Sequence, residues 1–158
     1  MPPPHGRAAA RGAPVSGLRC GRAAPTLFGV HVELFAHGRA MVVPAGIGVA
    51  PPLVRDGAYV RAGRCEYALR THEPTGVVEV ATRRPVTLGD LLALWGQPIT
   101  PTRLAGFAAG GGAGVAAFVD GRRVADPRAV ALRRHAQIVL MIGRRVPVHA
   151  RYRFPPGL

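Results

Sequence analysis

The chain has 158 residues, 48% hydrophobic and 18% charged, with 21 Gly, 16 Pro, six His and two Cys, enough for one domain with its own core. That composition excludes a coiled coil, a collagen repeat and a multiply bridged disulfide scaffold, and no apolar run reaches the roughly 18 residues of a membrane helix. The formal charge of +13 comes from arginine alone: four Arg and no acid in residues 1–26, eight Arg against seven acids in 27–120, and nine Arg against Asp126 in 121–158.

Lysine and asparagine are both absent. A GC-rich coding sequence produces the same bias, so the charge by itself does not identify a polyanion ligand. Residues 1–26 are Pro, Ala, Gly and Arg with few bulky apolar side chains and are expected to form a disordered arm. Arg, Pro or Gly interrupts every candidate secretion signal in them. Order is expected from 27 to 145 as a single α+β domain, with 146–158 as an extended basic tail.

Leu27 to Val43 alternates apolar and polar residues around His37-Gly38 and predicts a hairpin. Pro44, Gly46, Gly48, Pro51 and Pro52 then predict an irregular connection up to about Arg64. A second hairpin is predicted from Cys65–His72 and Val77–Ala81 around Glu73-Pro74-Thr75-Gly76. Thr87 to Gly96 predicts the one helix: Thr87 is a good N-cap, Asp90 sits in the positive first turn, and Gly96 can close it in the left-handed region. Leu88, Leu91, Leu92 and Trp95 form its apolar stripe.

Gly106 to Gly114 reads as a flexible linker, since no helix or Lys-Ser/Thr pair follows to make a phosphate cradle. Val115–Asp120, a turn at Asp120-Gly121 and the apolar strand Gln137–Ile142 complete the pattern. Segregated strands and helix indicate an α+β class. The closing Leu132 with His135 to Leu140 resembles the last strand of β-grasp domains, which implies a β-grasp-like sheet with one short helix and a preceding hairpin; a β-sandwich is the alternative.

The run Cys65-Glu66-Tyr67-Ala68-Leu69-Arg70-Thr71-His72-Glu73-Pro74-Thr75-Gly76-Val77-Val78-Glu79-Val80 resembles the signature of a family of small bacterial proteins, commonly exported or membrane-anchored. That signature reads approximately C-x-Y-x-L-H-T-H-D-x-x-G-I-I-H-[IV]-E. Similarity extends to His31, to Pro44-Ala45-Gly46-Ile47-Gly48, to Thr87-Leu88-Gly89 with Trp95-Gly96-Gln97-Pro98, and to Phe154-Pro155-Pro156-Gly157-Leu158. The resemblance implies an extracytoplasmic protein and carries no activity with it.

The family's histidines suggest a metal site, and the hairpin register tests the idea here. With Glu73 to Gly76 as the loop, Arg70 faces Glu79, and both positions are histidine in the family pattern. Facing histidines can hold a transition metal, whereas Arg and Glu form a cross-strand ion pair. The chain is therefore expected to have exchanged a family metal site for an ion pair, and no cofactor is expected. Copper or zinc on His72 with His31, Glu79 or Cys65 is the alternative. Cys65 otherwise reads as a small core hydrophobe, and His135 and His149 as solvated residues.

No nucleophile stands beside a base in the sequence, so the expected function is a non-catalytic binding or interaction domain, with an envelope protein as its partner. A second alternative is polyanion binding through Arg133, Arg134, Arg144, Arg145, Arg151 and Arg153. The pairs Arg133-Arg134 and Arg144-Arg145 read as solvated residues beside turns, which reads against nucleic acid.

Overall fold

The computed structural model describes residues 11–158. Its strands in chain order are β1 (Phe28–Ala36), β2 (Arg39–Met41), β3 (Val54–Asp56), β4 (Tyr59–Ala62), β5 (Leu69–Arg70) and β6 (Val77–Val80), then, after helix α1 (Leu88–Trp95), β7 (Ile99–Thr100), β8 (Arg103–Leu104), β9 (Phe107–Ala108), β10 (Ala116–Val119), β11 (Arg122–Val124) and β12 (Gln137–Ile142). The described chain is thus mostly sheet with one short α-helix, in line with an α+β class.

The main sheet runs β11-β10-β12-β1-β6-β5. β1 is its axis: along one edge it pairs in parallel with β12 from His31↔Gln137 to Ala36↔Ile142. Its other edge is shared, β6 taking Phe28 to His31 and β2 taking Leu34 to Ala36. The alternation read from the sequence therefore places Val30, Val32 and Leu34 in the core, each at most 3% exposed.

Helix α1 covers this face. Thr87 and Asp90 form a reciprocal capping box and Gly96 closes the helix at φ 72°. Leu88, Leu91, Leu92 and Leu94 are the buried residues, whereas Trp95 is half-buried, which corrects the stripe expected from spacing. At eight residues the helix is too short to stand alone, so its leucines, worth about 1.5–3 kcal/mol each when buried, hold it to the sheet.

β12 is buried at all six positions because both of its faces are covered. Ile138, Leu140 and Ile142 join the main core, while Val139 and Met141 form a smaller cluster against Ala116, Phe35 and Phe118. Val146 and Val148 pack on that second cluster. Residues 146–158 form no strand or helix, turn at Pro156-Gly157 and are docked: Tyr152 stacks on His31 at 3.6 Å and Phe154 on His135 at 4.5 Å.

Three expectations need correction. The first concerns the arm: residues 1–10 lie outside the described residues, but 11–26 are pinned to the domain. Leu18 is 4% exposed, and Gly21 exchanges backbone hydrogen bonds with Glu66. Secondly, the connection after Val43 contains the hairpin β3–β4, turning at Gly57 with φ 59°. Finally, the supposed linker from Gly106 carries β9 in a three-stranded sheet with β7 and β8, turning at Ala105-Gly106 with both φ angles positive.

Candidate functional site

The segment Cys65–His72 organises two neighbouring features, a buried polar cluster and an apolar groove. Leu69↔Val80 and Arg70↔Glu79 pair in the hairpin, so Arg70 does face Glu79, with Nε 3.4 Å from Glu79 Oε2. The guanidinium reaches further than one partner. Its Nη1 is 3.2 Å from Glu66 Oε2, and Nη2 donates to the Ala24 carbonyl and to Thr26 Oγ1. Arg70 and Glu66 are both buried, at 5% and 8% exposure.

His72 closes the cluster. Its Nδ1 bonds Glu79 Oε2, and its Nε2 is 3.5 Å from Glu66 Oε2. The Glu79 hydrogen bond raises the His72 pKa above 6.5, against the opposing effect of burial and with further help from the charges of Glu79 and Glu66. Burial works to raise Glu79, but His72 and Arg70 together hold it below its ordinary 4.5. With His72 protonated, the two carboxylates are matched by two cations, which is how such a group survives out of water.

Covalent chemistry adds to this anchoring. Cys65 is disulfide-bonded to Cys20, which corrects both its reading as a free core residue and its place among candidate ligands. Beside the bridge, Tyr67 donates from its hydroxyl to the Ala13 carbonyl at 2.6 Å and accepts from the Gly12 amide at 3.0 Å. The bridge, Arg70 and Tyr67 explain why a segment so poor in apolar residues is ordered.

His31 has other partners. Its Nδ1 is 2.7 Å from Gln137 Oε1 and its Nε2 is 3.0 Å from the Thr75 carbonyl, so both ring nitrogens are engaged outside the cluster. Among the described residues no group of three His, Cys, Asp or Glu is arranged to hold a metal. His149 is not simply solvated, since its Nδ1 lies 2.9 Å from Glu33 Oε2. Nor is His135, whose ring packs on Phe154.

Arg133, Arg134, Arg144, Arg145, Arg151 and Arg153 are exposed. Two of them have intramolecular roles: Arg134 sits 5.6 Å over the Phe28 ring and donates to the Leu27 carbonyl, and Arg145 donates to the Met141 carbonyl.

Above the cluster, the same segment carries both walls of a groove of about 480 Å³. One wall is the loop Pro44–Val49. Thr71, fully buried, donates through its hydroxyl to the Pro44 carbonyl at 2.7 Å and accepts from the Ile47 amide at 3.1 Å. Backbone bonds Gly46 N–H to Thr71 O, Thr71 N–H to Ile47 O and Tyr67 N–H to Gly48 O complete the attachment. Gly48 permits it: at φ 69°, a Cβ there would fall 1.9 Å from the Leu69 carbonyl oxygen.

The other wall is the β3–β4 hairpin, hung on His72 by the Val60 amide, which donates to the His72 carbonyl at 2.9 Å. Leu94 and Trp95 of α1, Gln97 just beyond it, Val42 and Pro74 also line the groove. The lining is mainly apolar, and its single charged residue is Arg55.

Sequence reading missed Glu66 and the groove. Glu66 precedes Arg70 by four residues and meets its guanidinium, and that acid–arginine spacing is visible in the sequence. The groove joins Pro44–Gly48 to Trp95 across the fold, a juxtaposition without a local signal. Comparison with family models, with curated proteins and with solved structures returns no match, so the reading of the site rests on its own geometry.

Proposed function

We propose that this chain is a small non-catalytic binding domain of the cell envelope, that its ligand site is the groove between Pro44–Val49, β3 and the end of α1, and that it belongs with the exported family its second hairpin resembles. The observation that carries this reading is the convergence of both groove walls on Thr71 and His72. A disulfide, a buried ion cluster and Tyr67 all brace that short segment, which is the investment a preorganised recognition surface requires. The Cys20–Cys65 bridge supports an oxidising compartment, where such bonds form and persist. Although no described helix is long and apolar enough to cross a membrane, an envelope location needs no such helix.

We also read the fold as β-grasp-like. The parallel pairing of β1 with the closing strand β12, with α1 laid over one face, supports that finer assignment.

Trp95 is the chain's only tryptophan and lines the groove, so its fluorescence reports occupancy. Anilinonaphthalene sulfonate, an apolar fluorophore with one anionic group, matches an apolar lining that holds one arginine. The expected result is one-to-one binding with quenching of Trp95 by energy transfer, and loss of both in Ala45→Phe, which adds bulk to the Pro44–Val49 wall. Equal quenching in Ala45→Phe, with its far-UV circular dichroism unchanged, would refute the groove as the ligand site.

A further inference from the structure

We propose that the groove receives an extended peptide that adds a strand to the outer edge of β3, with a carboxylate opposite Arg55 and an apolar side chain two residues away entering the groove. This deepens the binding reading above and rests on it.

The first observation is a free backbone edge. β3 and β4 pair as Asp56↔Tyr59 and Arg55↔Val60. The Val60 amide donates away from β3, to the His72 carbonyl. Arg55 and Val60 are therefore a non-hydrogen-bonded pair, and the Arg55 N–H and C=O point outward from the hairpin. β3 pairs with β4 alone, so no strand among the described residues covers its outer edge. An outward N–H and C=O on one residue are the pair of groups that an incoming strand engages.

A second observation is that this edge rims the apolar groove. Leu53 and Arg55 both line it, and Val60, across from Arg55, is fully buried beneath. Beside the rim, Val54 and Tyr59 are 59% and 42% exposed, among the largest exposures of bulky apolar side chains in the described chain. Charge settles the chemistry. Asp56 is engaged by Arg61 at 2.8 Å, whereas Arg55 has no ion-pair partner among the described residues. A peptide residue paired with Arg55 through the backbone presents its side chain on the same face as the guanidinium, so a Glu there would meet it. The residue two positions away shares that face and overhangs the groove.

The test uses the soluble peptide TLTETLT, acetylated and amidated, titrated into the oxidised full chain with Trp95 emission as readout. Saturable binding is expected, weakened about tenfold or more in TLTKTLT and in a peptide N-methylated at the Glu amide, which removes a strand hydrogen bond without touching a side chain. In Arg55→Glu, an exposed substitution checked by circular dichroism, the preference should invert toward TLTKTLT. Equal binding of the N-methylated peptide would overturn strand addition and leave a plain apolar groove. Absence of peptide binding, with the sulfonate fluorophore still quenching Trp95, would overturn the peptide as occupant while the groove reading survived. Failure of both ligands would sink both.

Discussion

Replacing Arg70 with methionine isolates the strut that braces the site. The guanidinium is within 3.2 Å of one Glu66 oxygen and 3.4 Å of one Glu79 oxygen, with its side chain 6% exposed. Methionine fills much of the same volume, so the loss is mainly electrostatic. Glu66, with 8% of its side chain exposed, would keep only His72 as a nearby cation, 3.5 Å away. Removing one member of a buried charged group costs about 3–5 kcal/mol, because the remaining charge is stranded out of water. For a domain of this size that lowers Tm by roughly 6–20 °C, at about 2–4 °C per kcal/mol.

Urea unfolding at pH 7, followed by circular dichroism on the oxidised protein, measures it. The double variant Arg70→Met with Glu66→Gln should recover part of the loss, giving a coupling of about 0.5–3 kcal/mol. A loss below about 1 kcal/mol, which is typical of an exposed pair, or strict additivity in the cycle would refute the idea that this cluster is a buried brace.

Three further outcomes follow from the same contacts. Replacing both Cys20 and Cys65 with serine removes a bridge spanning 45 residues and should cost up to about 4 kcal/mol in urea unfolding; an unchanged midpoint would contradict the bridge as an anchor. His72 is raised above 6.5, so its stabilisation is complete below that pH and fades as pH rises through its folded value, whereas Glu79, held below 4.5, contributes above that pH and fades as pH falls through its folded value. The deficit of Glu79→Gln relative to the native chain should therefore be largest between roughly pH 4.5 and 6.5, and a pH-independent deficit would refute the pairing. Gly48→Ala should destabilise by more than the roughly 1–2 kcal/mol of a left-handed alanine, since the Leu69 carbonyl also obstructs it, and it should blue- or red-shift Trp95 emission as the groove loop lifts.

What could be read from the sequence was local. The β1–β2 turn, the Arg70↔Glu79 register and the Thr87–Gly96 caps each depend on residues a few positions apart, and each has a side-chain reason visible in the string. The β3–β4 hairpin had one too, since Gly57-Ala58 between Asp56 and Tyr59 is a Gly-X two-residue turn, but the surrounding prolines and glycines masked it. Order in 11–26 is different in kind. Its stability comes from Cys65, Tyr67 and Arg70, some forty to fifty-five positions away, and composition alone makes such a segment look unfoldable. The docked tail had an indirect signal: a strand apolar at Ile138, Val139, Leu140, Met141 and Ile142 needs cover on both faces, and Val146 and Val148 supply part of it.

The most direct measurement is an amide map by nuclear magnetic resonance of the isotope-labelled, oxidised chain titrated with TLTETLT. Shift changes are expected only at Gly46–Val49, the β3–β4 hairpin and Leu94–Gln97, with the Arg55 amide moving furthest. Changes centred instead on the exposed arginines from Arg133 to Arg153, or on the His72–Glu79 pair with the groove silent, would contradict that placement.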